Sequence, residues 1–177
     1  FRSLWRYVQG NKYAYDYYDL DGPVSSRSIG DVVRPIARLL FHELAHANDF
    51  MPPALVTQVN PQLTASAAIA NVENSFTSTS LKLQSPLNSQ MQFDLARVMF
   101  RGATATSTQK ALSAEQVGLD FSIDGASDSY NYSSQFEDLA MLFEEVMMKR
   151  HFNIDRELAF TDAPPATGAT GATIEAG

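Results

Sequence analysis

Residues 42–46 read HELAH, an HExxH pentapeptide that contains two of the three histidines in the 177-residue chain. Around this motif, apolar side chains recur with a period close to 3.6 residues, which predicts an amphipathic helix. Gly30-Asp31 provides a turn followed by a good N-cap residue, and Pro52-Pro53 cannot continue a helix. We therefore expect one helix over residues 33–50 that presents both histidines.

The spacing of the two histidines suits a metal ion. Positions i and i+4 of a helix lie on one face, so that His42 and His46 could grip one zinc ion. Glu43 would then face the water that the metal activates. For a chain of this length and composition, the number of HExxH motifs expected by chance is roughly 0.002. The alternative interpretation is two partly buried histidines that hydrogen-bond to backbone carbonyls.

The composition indicates one globular domain and restricts its partners. Hydrophobic residues make up 45% of the chain, enough to form a core without metal or disulfide staples. No apolar run approaches the roughly 18 residues of a membrane-spanning helix. The formal net charge of −7 and the lack of a basic cluster argue against nucleic acid as a partner, because phosphate binding needs clustered lysine and arginine.

The absence of cysteine limits the ligands of any metal site. Zinc would have to be held by histidine and carboxylate, since no thiolate is available. The chain begins at Phe1 rather than at methionine, which suggests a processed or trimmed product. A cysteine-free acidic domain also suits a place outside the cytoplasm, so we expect an extracytoplasmic protein, either periplasmic or secreted.

Several further elements are predicted along the chain. Residues 3–8 could form a helix or a strand, and Tyr13, Tyr15 and Tyr17 alternate as in a short strand. Polar residues dominate 54–90, where we expect loops and a short helix around 63–71. Helical patterns cover 91–101 and 134–151, and a capping box at 113–116 opens another short helix that stops near 118–121. We expect a folded domain over residues 1–161 and a flexible, low-complexity tail over 162–177.

A catalytic zinc needs a third protein ligand. Asp49 lies about 10 Å along the helix from His42, at 1.5 Å per residue, which is too far for one ion to take both. We expect Asp49 to support a ligand or to act at the helix end. His151 stands at the end of its own helix, where a cationic imidazole is favourable against the helix dipole.

The acidic residues of the 134–151 helix remain as candidates for the third ligand, and they are Glu137, Asp138, Glu144 and Glu145. Glu137 is favoured because it borders the expected core stripe near the start of the helix, where a carboxylate can point inward. Asp138 faces further from the stripe, and mid-helix acidic pairs are usually solvated. The expected core stripe comprises Phe136, Leu139, Ala140, Phe143, Val146 and Met147, with Glu137, Met141, Glu144 and Met148 alongside.

Residues 42–49, which read HELAHAND, and residues 136–140, which read FEDLA, together resemble the zincin metallopeptidases. The pairing of HExxHAxD with a later ExxA is typical of the gluzincin branch and is similar to the catalytic domain of anthrax lethal factor. By this resemblance Glu137 is the third metal ligand, and an upstream tyrosine, Tyr130 or Tyr132, donates to the oxyanion. The thermolysin-like ExxxD pattern is not met, because Met141 stands where the aspartate would be.

The resemblance implies a helix-rich α+β, zincin-like metallopeptidase domain over residues 1–161, with the HExxH helix and a second ligand-bearing helix. It implies Zn²⁺ as the cofactor, a peptide or protein as the substrate, and Glu43 as the general base. Two alternatives compete with this zinc metalloprotease. One is a catalytically inactive binding module on the same fold, and the other is a metal-free domain in which the motif is fortuitous.

Overall fold

Helices account for most of the structure. The computed structural model describes residues 5–10, 29–50, 52–154 and 157–162. Its elements are β1 (Trp5–Gly10), α1 (Ile29–Phe50), α2 (Pro53–Val56), α3 (Ala65–Val72), α4 (Thr77–Gln84), α5 (Gln90–Phe100), α6 (Ser107–Lys110), α7 (Ala114–Phe121), α8 (Gln135–Phe152) and β2 (Glu157–Asp162), with 3₁₀ turns at Glu73–Ser75 and Ser129–Ser133. The expectation of a helix-rich domain is confirmed. Among the described helices, none is both long and apolar enough to cross a membrane.

The two strands form one antiparallel ladder. Trp5 lies opposite Asp162, and Gly10 lies opposite Glu157. Residues 3–8 were expected to form either a helix or a strand, and the described part of this segment is a strand. The strand expected from the alternating tyrosines at 13–17 lies outside the described residues. The flexible tail expected over residues 162–177 also lies outside the described residues, except for Asp162, which is the last residue of β2.

Helices α1 and α8 pack against each other in opposite directions, and this pairing positions the candidate site. The start of α8 faces the last turns of α1, where Glu137 meets His46. The end of α8 faces an earlier turn of α1, because Met148 packs with Ala37 and Phe41. Residues far apart in the sequence are therefore brought together along one helix-helix interface.

The first helix starts earlier than its sequence predicts. It begins at Ile29, so that the turn and N-cap expected at Gly30-Asp31 are wrong and both residues lie within α1. Glycine costs a helix only about 1 kcal/mol relative to alanine, which neighbouring turns can offset. The apolar stripe of α1 is not a buried core among the described residues, since Ile36 is 50% exposed and Leu39 is 57% exposed.

The buried face of α8 is rotated from the expected stripe. Val146, an expected core residue, is 53% exposed, whereas Met141, Glu144 and Met148 are buried. These three share a face with Glu137, and that face is turned toward α1. Ala140 of the expected stripe is fully buried, so the apolar pattern was right in part, and the buried face extends over residues that were expected to lie alongside the stripe.

The polar stretch 54–90 contains more helix than its composition predicts. The short helix expected around 63–71 is confirmed as α3, which Thr64 caps by accepting a hydrogen bond from the backbone N–H of Ala67. Helix α4 was not expected, and its own N-cap residue, Phe76, has no side chain that can cap. The carboxylate of Asp49 in α1 supplies the missing acceptor, since its Oδ1 lies 2.9 Å from the backbone nitrogen of Ser78.

The two remaining helical predictions are confirmed. Helix α5 ends at Phe100, just before Gly102, whose φ of 71° lies in the left-handed region. Helix α7 begins with the expected capping box, in which Ser113 and Gln116 each accept from the backbone of the other. Leu95 and Val117 from these helices form a buried cluster against which Phe160 of β2 packs.

Candidate metal centre

Three side chains converge where α8 meets α1. The Nε2 atoms of His42 and His46 are 3.2 Å apart. Oε2 of Glu137 lies 3.1 Å from Nε2 of His42 and 3.3 Å from Nε2 of His46. The three atoms thus form a nearly equilateral triangle, and among the described residues these are the three side chains that could hold a metal ion together.

The size of the triangle matches the ligand spacing of zinc. Donors placed 2.0–2.1 Å from one ion at tetrahedral angles are separated by about 3.3 Å. The observed separations of 3.1, 3.2 and 3.3 Å are close to this value. Two imidazoles and a carboxylate are also a ligand set that zinc accepts in catalytic sites, with a fourth position left for water. The residues therefore fit a zinc ion in both geometry and chemistry.

The local sequence explains why each ligand is in place. The two histidines are one turn apart on α1, so that their rings project from the same face. Glu137 lies in the first turn of α8, and its backbone N–H donates to the Oγ of the N-cap residue Ser134 at 3.2 Å. The N-cap fixes where α8 begins, and this fixes which residue of its first turn faces the histidines.

Behind the triangle, a buried ion pair contacts the other nitrogen of His42. Oε2 of Glu144 lies 3.4 Å from Nδ1 of His42. Oε1 of the same carboxylate lies 3.2 Å from Nη1 of Arg38, and the Glu144 side chain is only 4% exposed. A carboxylate on the far nitrogen of a metal-binding histidine holds the ring in one orientation and raises its basicity. Glu144 therefore lies outside the triangle and orients one of its corners.

The carboxylates dominate the electrostatics of the cluster. Hydrogen bonds with Glu137 and Glu144 raise the pKa of His42 to about 9, against the opposing effect of burial. Burial disfavours the charge of Glu137, but its hydrogen bond to His42 and the nearby His46 together hold the pKa of this carboxyl below its ordinary value. The cluster thus concentrates negative charge around two imidazoles, an environment that favours a cation, either a proton or a metal ion.

Aromatic packing holds the second histidine. The ring of His46 stacks on Phe50 with centroids 5.6 Å apart and an interplanar angle of 8°. Phe50 in turn contacts Phe136, the residue before Glu137, with centroids 5.0 Å apart. Nδ1 of His46 is buried and has no hydrogen-bond partner within the described residues. Stacking on Phe50 therefore supports the ring of His46 in addition to the polar contacts of its Nε2 atom.

Tyr130 lies beside the cluster. Its ring stacks against His42 with centroids 6.3 Å apart, and its other side contacts Phe100 at 4.7 Å. Burial, together with the charge of Glu137, raises the pKa of the Tyr130 hydroxyl. The hydroxyl is thus a protonated hydrogen-bond donor at neutral pH, close to the metal ligands.

Tyr132, the other tyrosine expected to donate to the oxyanion, has a different environment, and its contacts are with Asp124 and aromatic rings. The side chain is buried, and its hydroxyl donates to Oδ2 of Asp124 at 2.9 Å. Its ring packs edge-on against Phe93 and Phe121. The two tyrosines lie two positions apart in the 3₁₀ turn before α8, and Tyr130 is the one that contacts His42.

Glu43 is exposed on α1, and none of the described side chains forms a hydrogen bond or ion pair with it. Its neighbour His42 belongs to the triangle, so that Glu43 lies at the edge of the cluster with its carboxylate in solvent. His151 is not part of the cluster. It lies in the last turn of α8, as expected, and stacks on Phe41 with centroids 5.6 Å apart.

Three other acidic candidates also lie outside the triangle. Asp138 is buried and accepts a hydrogen bond of 2.8 Å from Nδ2 of Asn131. Glu145 is half-buried and lines a cavity beside α7. Asp49, expected to support a ligand or a helix end, takes the second role, because it caps the start of α4 through Ser78.

The sequence did not predict the contacts of Arg38, or the contact of the Glu144 carboxylate with His42. Arg38 precedes His42 by one turn of α1, and Glu144 follows Glu137 by two turns of α8. These spacings place each residue on the same helix face as a metal ligand. A search for charged residues one or two turns away from the candidate ligands would have found both.

Comparisons with protein-family models, with curated proteins and with solved structures find no match to this chain. The likeness to zincins thus rests on the two short motifs and on the geometry of the cluster. The function has to be argued from the site itself.

Proposed function

We propose that this protein is a zinc-dependent peptide-bond hydrolase with a zincin-like α+β fold, in which His42, His46 and Glu137 hold the metal. The observation that supports this most directly is the triangle of donor atoms, with sides of 3.1–3.3 Å. Hydrogen bonds alone would give similar distances, so the proposal also depends on the HExxH spacing, which brings two imidazoles and a carboxylate to one point. The carboxylate behind His42 adds the supporting contact that metal-binding histidines usually have.

The HExxH motif assigns a role to Glu43, and contact with His42 assigns one to Tyr130. Zinc in such a site supplies Lewis acidity, which polarises the scissile carbonyl and makes water nucleophilic near neutral pH. Glu43 accepts the proton of the attacking water and passes it to the leaving amine. The Tyr130 hydroxyl, beside His42, donates to the oxyanion that develops on the scissile carbonyl.

The decisive experiment compares the wild type with Glu43→Gln. The substitution keeps the shape of the side chain and removes the base, so the variant should bind zinc normally and lose about 10²–10⁴-fold in peptide hydrolysis. A diverse peptide library analysed by mass spectrometry serves as substrate, and elemental analysis measures zinc in both proteins. His46→Ala provides the metal-binding control and should lose both zinc and activity.

Three outcomes would contradict the proposal in different ways. Equal cleavage by wild type and Glu43→Gln would mean that a contaminant or another mechanism is responsible. Zinc-loaded wild type that cleaves no peptide would favour the inactive binding module. Stoichiometric zinc in His46→Ala would place the metal elsewhere in the chain.

A further inference from the structure

A second cavity lies beside the metal cluster, between α4, α5 and the start of α8. Its volume is about 610 Å³, within the range of ordinary ligand pockets. None of the three metal-ligand candidates lines it. Its walls instead carry three cationic side chains, Lys82 from α4 and Arg97 and Arg101 from the end of α5.

The grouping of three cations around one cavity is unusual in a chain with a formal net charge of −7. One carboxylate lines the same cavity, that of Asp138, and it is only 9% exposed and hydrogen-bonded to Asn131. Arg97 also pairs with Asp94 at 3.6 Å, but the two side chains are 70% and 46% exposed, so this pair is worth little. The cavity therefore presents a net positive surface on an acidic protein.

The cavity is built to hold more than a small ion. Nη2 of Arg101 donates to the backbone carbonyl of Ser133 at 2.7 Å, which fixes one guanidinium at the rim. A guanidinium has five N–H donors, so most of them are left for a ligand. Apolar and uncharged polar side chains form the rest of the wall, and the apolar Leu83 is 77% exposed. The matching ligand has a carboxylate next to aliphatic or aromatic carbon.

The position of the cavity connects it with the candidate site. Asp138 lines the cavity, while the preceding residue Glu137 belongs to the metal triangle, so the two sites flank the first turn of one helix. Phe100, next to Arg101, contacts the same Tyr130 that stacks on His42. One helix diameter is about 10 Å. An extended peptide spans that distance in about three residues.

We propose that this cavity binds the acidic side chain of a peptide and thereby selects substrates with Glu or Asp about three residues from the cleaved bond. The role in substrate selection rests on the proposed hydrolase function, whereas the binding of acidic peptide does not. A nucleic acid is a poorer match, because three cations on a strongly acidic protein give little attraction to a polyanion.

The test measures binding without cleavage. Full-length protein carrying Glu43→Gln is titrated by fluorescence polarisation with two labelled peptides that are identical except for Glu or Gln at the acidic positions. The Glu peptide should bind at least about tenfold more tightly. Adding Lys82→Gln and Arg97→Gln should remove that preference, because neither side chain has a described contact beyond the exposed pair of Arg97 with Asp94. Lys110→Gln, an exposed cation on α6, is the matched control and should change nothing.

Three results would overturn the proposal. The first is equal binding of the two peptides. The second is a loss of the preference for the Glu peptide in the Lys110→Gln control that is as large as the loss with Lys82→Gln and Arg97→Gln. The third is tighter binding of a single-stranded oligonucleotide than of the Glu peptide. Unchanged thermal midpoints of the variants would show that lost binding is not lost folding. If the protein prefers the Glu peptide but the zinc-loaded wild type cleaves no peptide, the cavity binds acidic peptides as proposed, and the proposed hydrolase function is wrong.

Discussion

At the scale of single residues, His42 is the ligand whose surroundings are the most specific. One ring nitrogen faces His46 and Glu137, and the other faces the buried carboxylate of Glu144, which Arg38 partly neutralises. This arrangement orders the imidazole before any metal arrives. A pre-ordered ligand binds more tightly, because less conformational freedom is lost on binding.

Removing the charge behind His42 should therefore weaken metal binding without abolishing it. We expect Glu144→Gln to lower zinc affinity by about 10–100-fold, the usual effect of changing a contact behind a ligand. Glu137→Ala should have a much larger effect, because it removes a ligand. Zinc affinity is measured by competition with a chromophoric chelator, and Glu145→Gln on the same helix is the control. Equal affinities of the Glu144→Gln and Glu145→Gln proteins would refute the orienting role.

The three candidate ligands were predictable from sequence to different degrees. The HExxH spacing is local, and any helix through residues 42–46 brings the two histidines together. The choice of Glu137 among four acidic residues depends on the rotation of α8, which the apolar pattern predicted only in part. The roles of Tyr130 and Tyr132 depend on packing around a 3₁₀ turn, which the sequence signals only weakly.

At the scale of elements, helix boundaries were predicted where the signal is local. The capping box of α7 involves residues three positions apart, so the sequence alone contains it. Helix α4 has its first-turn acceptor on another helix, and no pattern within residues 77–84 reveals it. The contact between Asp49 and Ser78 thus links the end of α1 to the start of α4.

This link should contribute measurably to stability. Ser78 is fully buried, so Asp49→Ala would leave its backbone N–H without an acceptor, at a cost of about 1–3 kcal/mol. Zinc affinity should change little, because the carboxylate contacts α4 and not a metal ligand. Urea unfolding followed by circular dichroism measures the loss. The control is Asp94→Ala, whose side chain is 46% exposed, and equal losses in the two variants would contradict the capping role.

Asp124 provides a second link between elements, and it is sensitive to pH. Its carboxylate accepts from the backbone N–H groups of Asn88 and Ser89, just before α5, and from the hydroxyl of Tyr132. Burial opposes its charge, but these hydrogen bonds hold the pKa of Asp124 below its ordinary value. A carboxyl with a depressed folded pKa stabilises the fold above its unfolded pKa, near about 3.9, and stops doing so as the pH falls through the folded pKa.

We therefore expect Asp124→Asn to be less stable than wild type at pH 7, by about 1 kcal/mol or more. The difference should shrink as the pH falls below about 4, because the wild-type carboxyl then becomes protonated. Denaturant unfolding of both proteins across this pH range measures the difference. A gap that stays constant down to the lowest pH would show that the charge of Asp124 contributes nothing.

At the scale of the whole molecule, the packing of α1 on α8 joins the metal ligands and leaves an apolar surface beside them. The stripe on α1 that the sequence marks as a core includes Leu40 and Leu44, which are 55% and 50% exposed. Periodicity shows that a helix has an apolar face, but it does not show which element covers that face. The α1–α8 interface combines apolar packing around Met148 with polar contacts of His42 and His46, and polar contacts leave little trace in a hydrophobic pattern.

Because the three ligands come from two helices, zinc should bind the folded chain and not the unfolded one. When the free zinc concentration is 100 times the dissociation constant, binding adds about 2.7 kcal/mol to the free energy of unfolding. For a domain of this size, that corresponds to a rise of about 5–10 °C in the thermal midpoint. Differential scanning fluorimetry with and without zinc measures the shift, and a chelator should reverse it. Magnesium at the same concentration should give no shift, because it prefers oxygen ligands.

The same measurement on His46→Ala distinguishes this site from adventitious zinc binding. The substitution removes one corner of the triangle and leaves the α1–α8 interface otherwise intact, so the variant should fold and show no zinc-dependent rise. An equal rise in wild type and variant would mean that zinc stabilises the protein through other residues. A rise in wild type alone would establish that α1 and α8 are joined through the metal, independently of whether the protein cleaves peptides.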